Sequence, residues 1–245
     1  VNGLSKQKQK YIQSLHNKKY RKQFGVFLVE GEKSISELLA SDFQIEDLFL
    51  SEIAVAGYTG SLKCHICSET DIEKVSTFRS NNYGVAVVHM KENSDCITDS
   101  DEWVLALDRI NDPGNLGTII RIADWYGIRQ IICSEDTVEC YNPKTINSTM
   151  GSFTRVNCFY TDIKKYLTGS EKPVYGADLE GVNIHDVKQL DPGILLIGSE
   201  SHGISSELQE LLTHKLTIPA FGKVESLNAG VAAGILLDNL KRISS

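Results

Sequence analysis

Leu216-Thr217-Ile218-Pro219-Ala220-Phe221-Gly222-Lys223-Val224-Glu225-Ser226-Leu227-Asn228-Ala229-Gly230-Val231-Ala232-Ala233-Gly234-Ile235-Leu236-Leu237 is the stretch on which the fold turns. It opens as a short apolar strand, which Pro219 ends because proline has no N–H to give to a ladder. A polar loop containing glycine follows, then a helix of alanine, glycine and leucine whose small side chains allow close approach to a neighbour. Ser226 has the side chain of a helix N-cap. The loop therefore presents backbone N–H groups, with Ser226 and Asn228, at a helix N-terminus beyond the end of a strand. Ligands bind at that place in open α/β sheets. A plain strand-to-helix turn would satisfy the same residues, so the rest of the chain has to decide.

Upstream of this stretch, strand and helix alternate. Apolar strands are expected at Trp103–Leu107, Gln130–Cys133, Val156–Tyr160, Val174–Ala177, Ile194–Ile197 and Lys215–Ile218. Helices fall between them at about 116–126, 143–150, 161–167 and 205–212, and a closing helix runs from about 227 to 242. Near-continuous apolar strands with intervening helices predict a mostly parallel sheet covered on both faces. Residues 103–245 form this α/β domain. Before it, Lys91–Glu102 is polar and acidic, and 93–102 is read as a linker. Residues 1–92 make a smaller α/β domain, with strands at Val26–Val29, Asp47–Leu50, about Cys64–Cys67 and Gly84–Val88, and helices at Lys33–Ala40 and Glu69–Phe78.

The 245 residues carry 25 basic and 32 acidic side chains, a net charge of −7. The charge is unevenly spread. Residues 1–24 hold Lys6, Lys8, Lys10, Lys18, Lys19, Arg21 and Lys22 and no acid. A basic arm on an acidic body suits a protein that meets phosphates at one end, although a solvated helix face has the same composition. No run of about 18 apolar residues is present, so no membrane span is expected, and no secretory leader is visible. Six cysteines without disulfide spacing point to a reducing cytoplasm. Cys64-His65-Ile66-Cys67 is a lone Cys-x-x-Cys in a strand, where positions three apart face opposite ways, so no metal site is assigned.

Three loops leave strand ends with chemistry-bearing side chains. The first, after Leu107, is Asp108-Arg109-Ile110-Asn111-Asp112-Pro113-Gly114-Asn115-Leu116-Gly117, leading to a helix with Arg121. Six residues, close to two turns, separate Asn115 from Arg121, so both are expected to look to one side. The second is Gly198-Ser199-Glu200-Ser201-His202-Gly203-Ile204, and the third is the opening stretch. No dinucleotide fingerprint, Walker lysine, nucleophile–base pair or histidine metal pair occurs, which disfavours hydride and phosphoryl transfer.

Asp-Pro-Gly-Asn-Leu-Gly with Arg121, then Ile-Gly-Ser-Glu-Ser-His-Gly, then Ile-Pro followed by Glu-Ser-Leu-Asn, in this order and spacing, resemble the three motifs of the SpoU (TrmH-like) RNA 2′-O-ribose methyltransferases. Pro143-Lys144 and Thr149-Met150-Gly151 resemble a further recurrent segment of that family. Residues 24–88 resemble its N-terminal substrate-binding domain, which is related to small RNA-binding ribosomal proteins. The chain departs from the family at Asn147, where many relatives are basic, and at Gly230, close after the third motif.

The resemblance implies an α/β fold with a C-terminal trefoil knot, a homodimer, and S-adenosylmethionine as methyl donor. The cofactor set would be Ala177, Asp178, Leu179, Ile197, Gly198, Ser199, Glu200, Gly203, Ile218, Ser226, Leu227 and Asn228. The catalytic set would be Asn115, Arg121, Glu200, Ser226 and Asn228. Asn115 would orient a ribose or phosphate. A guanidinium is effectively always protonated, so Arg121 fits stabilisation of a developing alkoxide, or a phosphate clamp, better than the role of base. Glu200 would hold the loop geometry or take part in proton transfer, and His202 is read as structural. RNA contacts are expected from Lys6, Lys8, Lys10, Lys18, Lys19, Arg21, Lys22, Arg109 and Lys144, with ribosomal RNA preferred over transfer RNA. The alternative is a non-catalytic RNA-binding or ribosome-assembly protein that retains the fold. An enzyme acting on a small nucleotide-like ligand is a third reading, to be separated from the first by removing residues 1–24.

Overall fold

A computed structural model describes residues 4–95 and 101–244, so residues 96–100 of the expected linker lie outside the described residues. The chain forms two compact units, Val1–Glu92 with Cys140–Thr154, and Asn93–Glu139 with Arg155–Ser245.

In the first unit, helices α1 (Lys6–Ser14) and α2 (Lys18–Phe24) precede strand β1 (Val26–Glu30). There follow α3 (Glu32–Leu39), β2 (Ile45–Ser51), α4 (Glu52–Ala56), β3 (His65–Cys67), α5 (Glu69–Val75) and β4 (Gly84–His89). The sheet order is β1-β4-β2-β3, with β4 antiparallel to both its neighbours and β3 parallel to β2. Strand alternation sends Phe27, Val29, Leu48, Leu50, Ala86 and Val88 to one face, against Ile35 and Leu38 of α3. Val26, Leu28, Phe49, Val85 and Val87 go to the other, against Ile12, Leu15, Ile72 and Val75.

Two readings change here. Residues 4–24 are not a free arm: Leu4, Ile12 and Leu15 are core residues of the unit, so removing 1–24 would expose one face of its sheet. Residues 140–154, expected within the second domain, belong to the first unit. They contain α7 (Pro143–Thr149) and a 3-10 turn at Ser152–Thr154, and bring Tyr141, Ile146 and Phe153 onto Phe27 and Phe43. Their apolar side chains complete a face that α3 alone leaves partly uncovered.

The second unit contains β5 (Val104–Asp108), α6 (Pro113–Trp125) and β6 (Gln130–Cys133). After the 140–154 excursion come β7 (Asn157–Tyr160), α8 (Ile163–Thr168), β8 (Val174–Asn183), β9 (Ile194–Gly198), α9 (Ser206–Gln209), β10 (His214–Thr217) and α10 (Ala229–Ile243). Its sheet order is β10-β8-β9-β5-β6-β7 and every pairing is parallel. The chain fills β5-β6-β7 in one direction, then crosses to lay β8, β9 and β10 on the far side of β5. That reversal creates the crevice in which ligands bind in open α/β sheets. Helices α8 and α9 cover one face, through Ile163, Leu167 and Leu208 on Val104, Ala106, Ile194 and Leu196.

Strand β8 runs six residues beyond the expected Ala177. Lys215 pairs with Gly176, but the next residue, Leu216, pairs with Val182, so residues 177–181 bulge out of the ladder before pairing resumes. Gly181 permits this bulge: a Cβ there would lie 2.6 Å from the Leu216 nitrogen.

Candidate active site

Three strand ends build the site. Asp112 caps α6 by accepting from the Asn115 N–H (2.9 Å), with Pro113 at the first helical turn, where its missing N–H costs nothing. Asn115 therefore sits in the first turn of α6 with its amide free to reach outward. It donates from Nδ2 to Glu200 Oε1 (2.8 Å) and accepts at Oδ1 from Asn228 Nδ2 (2.8 Å). Asn228 Nδ2 is also 2.9 Å from Glu200 Oε1, and the Ala229 N–H donates to that same oxygen at 3.0 Å. One carboxylate oxygen thus gathers the starts of α6 and α10. A carboxylate is well placed there, because helix N-termini carry unpaired N–H groups and partial positive charge.

The cap of α10 is Asn228 and not Ser226. Asn228 Oδ1 accepts from the N–H groups of Gly230 (3.0 Å) and Val231 (3.3 Å). Gly230, a departure from the family pattern, has a packing reason: a Cβ there would stand 3.0 Å from Thr118 Cγ2 of α6.

The turn that carries Glu200 is fixed at both ends. Gly203 N–H donates to Ser199 O (2.8 Å), with Gly203 at φ 64°, a left-handed conformation that glycine adopts without strain. A Cβ on Gly198 would lie 2.1 Å from Gly203 C, so the turn closes directly on that glycine. Asp108, buried at the end of β5, holds the same turn from the side. Its Oδ2 accepts the Ser205 N–H (2.7 Å), and its two oxygens take Arg109 Nε (3.0 Å) and Nη2 (3.2 Å). Arg109 itself has φ 57°. Asp108 escaped the sequence reading, although an acid ending an apolar strand is the signal that could have found it.

Beside this network lies a cavity of about 790 Å³, within the range of about 300–1,000 Å³ usual for small-molecule sites. Its wall includes eleven of the expected cofactor residues, Ala177, Asp178, Leu179, Ile197, Gly198, Ser199, Glu200, Gly203, Ile218, Ser226 and Leu227. Asn228 is not in the wall, whereas His202, Phe221 and Leu236 are. Asp178 faces the cavity but is engaged: Oδ1 accepts the Glu180 N–H (2.9 Å) and Oδ2 pairs with Lys215 Nζ (2.9 Å). The Glu180 amide first, and Lys215 with it, hold its carboxyl below the usual value. These contacts fix the bulge that forms one rim. The opposite rim, residues 219–228, exposes Phe221, Val224 and Leu227.

Arg121 is not brought into the network. Six residues along a helix turn the side chain by about 600°, which leaves it about 120° away from Asn115. It is exposed, and among the described residues it makes no hydrogen bond or ion pair. His202 Nδ1 lies 2.7 Å from Ser201 Oγ.

The expected RNA-contact residues divide. In the first unit Lys6, Lys10, Lys18, Lys19, Lys22 and Lys144 are exposed. Lys8 pairs with Asp47. Arg21 is 1 % exposed and donates from Nη1 to Leu15 O and His16 O, both at 2.8 Å, and desolvation lowers its pKa to about 10. It closes the end of α1 and is withdrawn from the RNA-facing set. In the second unit Arg109 is held by Asp108. Among the described residues no group of three His, Cys, Asp or Glu side chains could hold a metal, and no helix is long and apolar enough to cross a membrane.

Comparison with known proteins identifies the family. The SpoU rRNA Methylase family model matches residues 102–238, and the MRM3-like substrate binding domain matches residues 6–85. The chain is 31% identical over 98% of its length, and 98% of the relative's, to the 23S rRNA (guanosine(2553)-2′-O)-methyltransferase RlmP of Bacillus subtilis. A solved structure, a putative RNA methyltransferase of the TrmH family from Porphyromonas gingivalis, superposes with TM-score 0.87 at 32% identity, covering 98% of this chain and 99% of that one. The AdoMet-bound rRNA methyltransferase from Sinorhizobium meliloti does so with TM-score 0.87 at 28% identity, covering 99% and 97%. With a family model matching residues 102–238 and a relative 31% identical along nearly the whole length of both chains, the chain belongs to the SpoU rRNA methylase family.

Proposed function

We propose that the protein transfers a methyl group from S-adenosylmethionine to a ribose 2′-hydroxyl of ribosomal RNA. The observation that carries this reading is the Asn115–Glu200–Asn228 network at the mouth of the crevice cavity. The cavity suits the cofactor: apolar walls from Leu179, Ile197, Ile218 and Leu227 match a purine and the methylene groups of the methionine chain, and the turn at 198–203 offers backbone polar groups.

S-adenosylmethionine supplies a methyl group activated on a sulfonium, so the chain has to align, desolvate and manage a proton. The bulge at 177–181 and the rim at 219–228 would exclude water from the cofactor. Glu200 uses Oε1 for three donors, while Oε2 has no partner among the described residues and is available to the hydroxyl or its proton. Asn115 would orient the ribose. Arg121, permanently charged and without a partner in the described chain, would meet a phosphate or stabilise the developing alkoxide.

We further propose a homodimer and a cytoplasmic enzyme whose C-terminal segment closes a trefoil knot around the cavity. Dimerisation is supported by large apolar side chains left exposed on two helices that pack together, Trp125 on α6 (84 %) and Val231 on α10 (50 %). The test of the activity is incubation with methyl-labelled S-adenosylmethionine and unmodified ribosomal and transfer RNA. Label in ribosomal RNA supports the reading. Cofactor binding without label in either RNA favours the non-catalytic RNA-binding protein.

A further inference from the structure

The surface of α2 carries a feature that the charge pattern did not predict. Tyr20 and Phe24 stand one turn apart, 37 % and 43 % exposed, with ring centroids 6.3 Å apart and planes 15° from parallel. Tyr11 of α1 meets Phe24 edge-on at 5.3 Å and buttresses it from the side. Tyr11 is itself pinned, its hydroxyl donating to Glu46 Oε1 at 2.9 Å. Lys19 Nζ lies 5.8 Å from the Tyr20 ring centroid. Lys18, Lys19 and Lys22 on the same short helix, and Lys6 and Lys10 on α1, are exposed, and residues 4–24 contain no acid. The nearby acids are already engaged, Glu46 by Tyr11 and Asp47 by Lys8 and His65.

We propose that Tyr20 and Phe24 form a stacking step for unpaired bases of the RNA substrate, with Lys18, Lys19 and Lys22 taking the flanking phosphates. The inference rests on RNA being the substrate. Two nearly parallel, partly exposed rings on a lysine-rich helix are the combination used by proteins that hold single strands. The lysines alone would serve a duplex equally well. The rings would not, because the bases of an A-form helix are stacked within it and offer no free face. The two contributions also differ physically: phosphate contacts release counterions and weaken with salt, and stacking does not. The arrangement therefore selects a loop, bulge or strand end in preference to a continuous helix.

The full chain is titrated with a fluorescein-labelled uridine dodecamer and with a twelve-base-pair RNA duplex across a salt series. Tyr20→Ala/Phe24→Ala is expected to weaken dodecamer binding about tenfold or more, with the slope of log K against log salt unchanged. Phe24→Trp should retain wild-type affinity, and Phe24→Leu, which keeps apolar volume without a ring, should lose affinity at an unchanged Tm. Lys19→Ala/Lys22→Ala should instead flatten the slope by about two. Equal dodecamer affinity in Phe24→Leu and wild type would overturn the proposal, and so would an equal loss for the duplex. Label transfer by the wild type is measured alongside. Transfer to RNA with ring variants that bind normally would refute the stacking step alone, whereas no transfer by the wild type would refute the enzymatic reading and leave the binding result standing.

Discussion

Glu200 is the residue on which most of the site depends, because its Oε1 receives Asn115, Asn228 and the first N–H of α10. Removing it leaves three donors without their acceptor at the cavity edge. A loss of about 3 kcal/mol, the worth of one or two charge-assisted hydrogen bonds, corresponds to roughly a hundredfold fall in kcat/KM. Glu200→Ala is accordingly expected to lower methyl transfer by at least that factor in steady-state assays, with Glu200→Gln less affected because its carbonyl oxygen still accepts. Asp178 gives a prediction about pH. Its folded-state pKa lies below the ordinary value of 3.8, set by the Glu180 amide and then Lys215. The carboxylate therefore contributes stability above the unfolded pKa, and this is lost as pH falls through the lower folded value. The stability difference between wild type and Asp178→Asn, measured by urea unfolding, should be constant above about pH 5 and should shrink below about pH 4.

At the scale of elements, the strands of the parallel sheet were legible because each is a near-continuous apolar run, and the ordered motifs placed Asn115, Glu200 and Asn228 at strand ends. What stayed hidden depends on pairing and on distant partners. The extension of β8 to Asn183 follows from renewed pairing with Leu216 and Thr217, which local pattern does not report. Ser226 and Asn228 are both good caps, and only the position of Glu200 favours Asn228. Arg21 reads as one more positive charge among seven, yet it closes the end of α1. Arg21→Ala should destabilise the first unit by roughly 2–4 kcal/mol, through the buried Leu15 carbonyl and the part-buried His16 carbonyl losing the guanidinium donor. Lys22→Ala should leave thermal stability unchanged and lower the salt slope of RNA binding by about one. Gly198 is required by geometry, its Cβ position lying 2.1 Å from Gly203 C. Gly198→Ala should therefore reduce cofactor affinity by more than tenfold in calorimetry, because the turn carrying Glu200 has to open.

For the whole molecule, the chain divides into two compact units that differ in the side chains they present. The first unit carries the exposed Lys6, Lys10, Lys18, Lys19, Lys22 and Lys144, and the second carries the crevice and the Asn115–Glu200–Asn228 network. If α6 and α10 meet a second copy, Trp125→Glu should convert a dimer into a monomer in light scattering while leaving the fold intact by circular dichroism. The central claim is that this crevice methylates a ribose oxygen with the help of Arg121. It is tested most directly by alkaline digestion of ribosomal RNA labelled from methyl-labelled S-adenosylmethionine, with wild type and Arg121→Ala side by side. Label in alkali-resistant dinucleotides with wild type, at least a hundredfold weaker with Arg121→Ala at unchanged cofactor affinity, is the predicted result. Label released as mononucleotides would place the methyl group on a base, and equal labelling by both proteins would remove Arg121 from the chemistry; either outcome contradicts the account.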